Sequence, residues 1–285
     1  MLGANGQLGQ EFNFIAPSYE YLHFDFFSKV TLDISDEEAL KAVMDVGYDY
    51  VINCAAYTAV DLAETDAEKC YAINADACRN IVNAIKGNTT RLVHFSSDYV
   101  YNSYNGFPIH EDDITDPQGV YASSKLEGEQ IIRASEIPAL ILRTSWVISS
   151  FGSNFVKTMI RLGSERSALN VVNDQYGAPT YARHLAHAVL DIITQVENNS
   201  DMFPAFNDTY NYANEGIVTW FDIADRIIKE HNFSCEVHPI STKDYPTKAK
   251  RPHWSVLSKR KIKEKFNLEI PHWYTALKDC ITGLE

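Results

Sequence analysis

Short apolar runs alternate with longer stretches of helical periodicity over the first half of the chain. "YEYLHFDF" (19–26) predicts a strand, and "DEEALKAVMDVG" (36–47) a helix opened by acidic residues and stopped at Gly47. "YDYVINCAA" predicts a second strand, "AEKCYAINADACRNIVNAIKG" a helix ending at Gly87, and "RLVHFSSDYVY" a third strand. "SKLEGEQIIRAS" follows as a helix and "PALILRTSWVI" as a further buried strand. Strands rich in Val, Ile and Leu, separated by full helices, predict a parallel sheet covered on both faces, a doubly wound α/β arrangement.

After Trp146 the pattern changes. "SNFVKTMIRLGSE" predicts a helix, "LNVVND" a short strand and "TYARHLAHAVLDIITQ" another helix. A polar stretch over 197–209 leads to the helical "VTWFDIADRIIKEH" and a tail rich in Lys, Trp and Pro. Residues 1–146 are expected to form a dinucleotide-binding domain and 147–285 mainly a smaller, substrate-binding part. Segment 168–196 is expected to pack back on the first sheet.

The dinucleotide expectation comes from the opening "MLGANGQLGQEF", where Gly3, Gly6 and Gly9 are spaced G-x-x-G-x-x-G. The first glycine permits a tight turn, the second lets backbone approach a pyrophosphate, and the third lets the following helix pack closely. Asp25 lies near the end of the next predicted strand, where a ribose hydroxyl acceptor belongs. The fold class is therefore Rossmann-like. Such a loop follows a buried strand, yet only Met1 and Leu2 precede Gly3, so the first strand is expected to be missing.

Composition narrows the partners. The formal net charge of −13 argues against nucleic acid and anionic lipid, both of which need a basic face, and leaves a small-molecule substrate. The five cysteines show no C-x-x-C pair, and no secretory or membrane-length apolar run is present, so a cytoplasmic setting is expected.

Against that frame "YASSK" carries the chemistry. Tyr121 and Lys125 lie one helical turn apart on one face, and an ammonium beside a phenol favours the phenolate, making a general acid and base. "HFSSDYVY" ends the preceding strand in Ser96, Ser97 and Asp98, at the sheet edge where ligands bind. Ala55 and Ala56 end "YVINCAA" in side chains small enough for a flat ring to lie close, although tight packing alone would also select them. His184, His187 and Asp191 share a helical spacing that reads as a solvated face rather than a metal site. Nothing beside Cys54 activates a thiolate.

"GANGQLG", "NCAAYTAVDLAE", "SSDYVY", "YASSKLEGE", "LRTSWVISSFGSNFVKTM", "DQYGAPTYARHLA" and "RPHWSVLS" together resemble the dTDP-4-dehydrorhamnose reductases, extended short-chain dehydrogenases, over essentially the whole chain. The resemblance implies reduction of the C4 ketone of dTDP-4-dehydro-L-rhamnose by NADPH or NADH. It makes Tyr121 the proton donor, Lys125 its tuner and a ribose ligand, and Ser97, where the family commonly has Thr, a hydrogen-bond donor to the substrate oxygen. Substrate contacts are implied for Ser97, Asp98, Trp146, Asn154 and Arg251. Cofactor contacts are implied for Gly6, Gln7, Leu8, Asp33, Ile34, Ala55, Ala56 and Tyr57, with Tyr121 and Lys125. Glu11 matches a carboxylate that binds magnesium at a dimer contact in some members, so magnesium and a homodimer stay open. The preference between cofactors also stays open, because Phe26 and Phe27 stand where an arginine would meet a 2′-phosphate while Lys29 is close by. An epimerase or dehydratase on the same fold, or a non-catalytic dinucleotide-binding subunit, are the competing readings. The first lacks its expected acid pair, and the second has no need of Ser97, Tyr121 and Lys125 together.

Overall fold

In the computed structural model, which describes residues 1–102 and 106–284, four parallel strands form the central sheet. They are β1 (Tyr50–Asn53), β2 (Arg91–Ser97), β3 (Ala139–Thr144) and β4 (Thr209–Tyr212), side by side in that order. Alternate residues along β2 and β3 go to opposite cores, as the twofold strand period requires. Val93, Leu140 and Leu142 join Phe12, Leu185 and Val189 beneath helices Gln7–Ile15 and Ala182–Asn198. Leu92 and Ile141 join Leu40, Ile81, Ile85 and Ile132 beneath helices Glu37–Met44, Ala77–Ile85 and Val120–Ala134.

The centre of the sheet is held by two residues. Leu2 bridges in parallel to Phe27 on one side and Asn53 on the other, and its N–H and carbonyl bond Ile52 and Cys54 at 2.9 and 3.0 Å. Met1 and Leu2 thus take the place of the expected strand. The predicted strand over 19–26 does not form. Only Phe27, one residue beyond it, makes a bridge, to Leu2. The chain passes from Leu2 to one neighbour and returns to β1 on the other side, which makes the gap between Leu2 and β1 the point where strand order reverses.

A separate core gathers Val156, Met159, Ile223, Ile227 and Leu277 from helices Phe155–Glu165, Trp220–Glu230 and Trp273–Thr282, with Ile148 from the short strand Val147–Ile148. Segment 168–196 divides between the two parts. Helix Ala182–Asn198 lies on the central sheet, but Ala168–Val172 pairs in parallel with Glu236–Ile240 instead. No helix among the described residues is long and apolar enough to cross a membrane.

Candidate active site

Tyr121 sits in the first turn of helix Val120–Ala134. Gly119, at φ +92°, turns the chain into that helix, and Glu64 Oε1 accepts the Val120 N–H at 2.9 Å, so a carboxylate from a distant segment caps it. One turn on, Lys125 is almost fully buried and its Nζ donates to the Phe95 carbonyl of β2 at 2.6 Å. Beneath this helix the chain forms a π-helical turn, Ala72–Asp76. From it Asn74 donates to Ser124 Oγ at 3.0 Å and exchanges bonds with the Tyr57 backbone at 2.9 and 3.2 Å. A Cβ on Gly128 would come within 2.2 Å of the Asn74 carbonyl, so the glycine is what allows the helix to seat there.

The carboxyl end of β2 brings Ser97 and Asp98 alongside. Ser97 Oγ donates to Asp98 Oδ1 at 3.1 Å and accepts the Tyr99 N–H at 3.2 Å. Asp98 is 3% exposed, and burial pushes its carboxyl up to about 6 against the opposing pull of Ser255 and Ser97. The Tyr99 ring stands edge-on to Tyr121, centroids 5.5 Å apart.

The expected lowering of the Tyr121 phenol by Lys125 is not what the structure holds. Burial raises the phenol above its ordinary value, with Ser97 pulling the other way. The Lys125 ammonium, itself lowered by burial, points its proton at Phe95. The two residues share a helical face, but desolvation is the largest influence on each of them.

Beside Tyr99 opens a cleft of about 1270 Å³, lined also by Trp146, Trp220, Phe155, Asp61 and Arg251. Trp146 and Trp220 stack at 3.9 Å, and Trp146 has φ +49°, a conformation that is strained for so bulky a residue. Arg251 pairs with Asp61 and donates to the Tyr99 hydroxyl at 3.4 Å. Trp220, Tyr99 and Asp61 are wall residues that sequence reading passed over. Trp220 opens a helix with a Thr219–Asp222 capping box, and an aromatic at a helix start carries no mark of a cleft. Asn154 is a helix cap: its side chain accepts the Lys157 N–H, and its Nδ2 donates to Gln7 Oε1 at 3.0 Å.

The glycine loop lies against the residues that follow β1. A Cβ on Gly3, at φ +78°, would fall 2.5 Å from the Ala55 nitrogen, and one on Gly9 would fall 2.4 Å from the Gly3 carbonyl. Gly6 caps helix Gln7–Ile15 with no side chain over its free N–H groups. Bare backbone therefore lies open at a helix N-terminus, at the strand-order reversal, and these residues fit a dinucleotide. Asp25 is exposed and accepts the Tyr48 hydroxyl at 2.7 Å. Asp33 takes the Ser35 N–H and hydroxyl, which hold its carboxyl below the usual range. Ile34 and Tyr57 are buried, Leu8 packs partly against the core, Ala55 is half-buried and Ala56 is exposed.

Glu11 does not fit a cation. It is fully buried and bonded to Arg183, Ser149 and Ser150 of its own chain. His187 and Asp191 both meet the Tyr19 hydroxyl, His184 meets Asp279, and no group of three His, Cys, Asp or Glu among the described residues could hold a metal. Burial raises the Cys54 thiol.

A sequence profile of the RmlD substrate binding domain matches residues 1–285. A dTDP-4-dehydrorhamnose reductase of Aggregatibacter actinomycetemcomitans is 35% identical, the match covering 97% of this chain and 96% of that protein. The crystal structure of a dTDP-4-dehydrorhamnose reductase of Clostridium acetobutylicum superposes with a TM-score of 0.91 at 34% identity, over 99% of this chain and 97% of that one. The Bacillus anthracis enzyme of the same name, solved in complex with NADP, superposes with a TM-score of 0.88 at 34% identity over the same shares.

Proposed function

The chain belongs to the dTDP-4-dehydrorhamnose reductase family, and from that membership we propose that it reduces the C4 ketone of dTDP-4-dehydro-L-rhamnose to dTDP-L-rhamnose, with NADPH or NADH as reductant. The observation that supports this reading most is the Ser97 side chain bonded to the Tyr121 phenol, with Lys125 one turn along the same helix and Tyr99 leading from Tyr121 into a cleft walled by aromatic residues.

When bound, the nicotinamide supplies the hydride. Gly3, Gly6 and Gly9 would hold its pyrophosphate against backbone N–H groups, and Asp25 a ribose hydroxyl. The Tyr121 phenol, which burial keeps protonated, gives its proton to the C4 oxygen as negative charge develops there. Ser97 is the hydroxyl we assign to hydrogen-bond that oxygen, turning its single proton from Asp98 to the substrate. Lys125, one turn along, stabilises the phenolate left behind. Trp146 packs on the sugar, and Arg251, already steadied by Asp61, faces the diphosphate. In this reading the residues before Trp146 hold the dinucleotide, and those after it, apart from helix Ala182–Asn198 and β4, cover the sugar. We assign the reaction to the cytoplasm, where the five unpaired thiols stay reduced.

Purified protein supplied with the 4-keto sugar nucleotide and either cofactor is expected to consume reduced cofactor in step with product. Tyr121→Phe is expected to lower kcat by roughly 10²- to 10⁴-fold, the contribution of a positioned proton donor. A variant that turns over like the wild type overturns the assignment.

A further inference from the structure

Glu11 sits within the helix that follows the glycine loop, with no exposed surface. A carboxylate in that position is unfavourable unless it is paired and its oxygens are occupied. Both conditions are met from within the chain. Oε2 accepts from Arg183 Nε at 2.7 Å, while Oε1 accepts from the Ser149 hydroxyl at 2.7 Å and the Ser150 N–H at 3.1 Å. The guanidinium is itself fixed, lying 4.0 Å over the Phe14 ring.

We propose that Arg183 is a built-in counter-ion for Glu11, standing where a divalent cation would otherwise be needed, so that the dinucleotide-binding helix is seated without metal. A cation approaching Glu11 meets the guanidinium and finds the carboxylate oxygens already bonded. The same bonds join three parts of the chain: helix Gln7–Ile15, the Ser149–Ser150 turn, and helix Ala182–Asn198. Ser150 carries the connection further, donating to the Cys280 carbonyl of the last helix at 3.2 Å. Arg183 is therefore a positioning residue for the glycine cradle, a consequence that rests on the dinucleotide reading above.

The test uses the full chain without nucleotide, measuring melting temperature and sedimentation in EDTA and in millimolar magnesium, followed by titration with NADPH. The wild type is expected to respond to neither EDTA nor magnesium. Arg183→Glu, which sets a second carboxylate against Glu11, is expected to melt lower in EDTA and to recover in magnesium. Arg183→Gln, which covers the case that the charge reversal fails to fold, is expected to melt lower with no magnesium response. It is also expected to bind NADPH several-fold more weakly while kcat at saturation is retained. A magnesium-dependent rise in the wild-type melting temperature that Glu11→Gln abolishes overturns the proposal, as does Arg183→Gln melting and binding like the wild type. A wild type that binds no dinucleotide refutes the proposed function and leaves the metal result standing by itself.

Discussion

Asp98 shows how burial sets the behaviour of a single carboxyl group. Its folded value of about 6 lies above the roughly 3.9 of a free aspartate. Below the unfolded value both states carry the proton and the site contributes nothing. Between the two values only the native state keeps it, and above about 6 the native state bears a buried charge that disfavours folding by on the order of 3 kcal/mol. Stability at this site is therefore lost as pH rises from 4 to 6. Asp98→Asn is expected to raise stability at pH 8 and leave it unchanged near pH 4, read by urea unfolding at the two pH values. An equal gain at both would refute the burial account. The neighbouring residues show where sequence reading stops. That Ser97 would lie beside the helix carrying Tyr121 and Lys125 was legible in their order along the chain. The direction of the phenol shift was not, because spacing reports a shared face and says nothing of desolvation, or of a Phe95 carbonyl within reach of the lysine.

Among the elements, the helix bearing Tyr121 and the π turn beneath it form one unit. Gly128→Ala would drive a Cβ into the Asn74 carbonyl, so the helix must shift away from Asn74 and strain the bond from Asn74 to its own Ser124. The expected loss is roughly 1–3 kcal/mol, the usual range for overpacking, with a fall in kcat as Tyr121 moves. Thermal melting and turnover measured together check it, and a variant with both unchanged sinks the idea. β1 to β3 were legible because runs such as "LVHF" and "ALIL" are buried on both faces. Segment 19–26 is apolar enough to read as a strand, yet its Leu22, Phe24 and Phe26 pack against the first core without a ladder, which local pattern does not distinguish. The parallel pairing of Ala168–Val172 with Glu236–Ile240 joins segments too far apart in sequence for local pattern to reveal.

At the scale of the whole molecule, the two parts meet at the strand ends, and the Asp61–Arg251 pair ties the C-terminal part to a segment following β1. Trp146 follows β3 of the sheet and Trp220 opens a helix, both indoles pack against the second core, and their 3.9 Å stack stands in the wall of the cleft. Indoles held that closely perturb each other's excited states, and anything that wedges between them or turns one aside changes the light they emit. Sugar nucleotide binding is expected to alter intrinsic tryptophan emission, and Trp220→Phe to remove most of that response while binding persists by calorimetry. An unchanged response in the variant would mean that the signal arises elsewhere. The same stack that shapes the cleft would then report, without any added dye, whether it is filled.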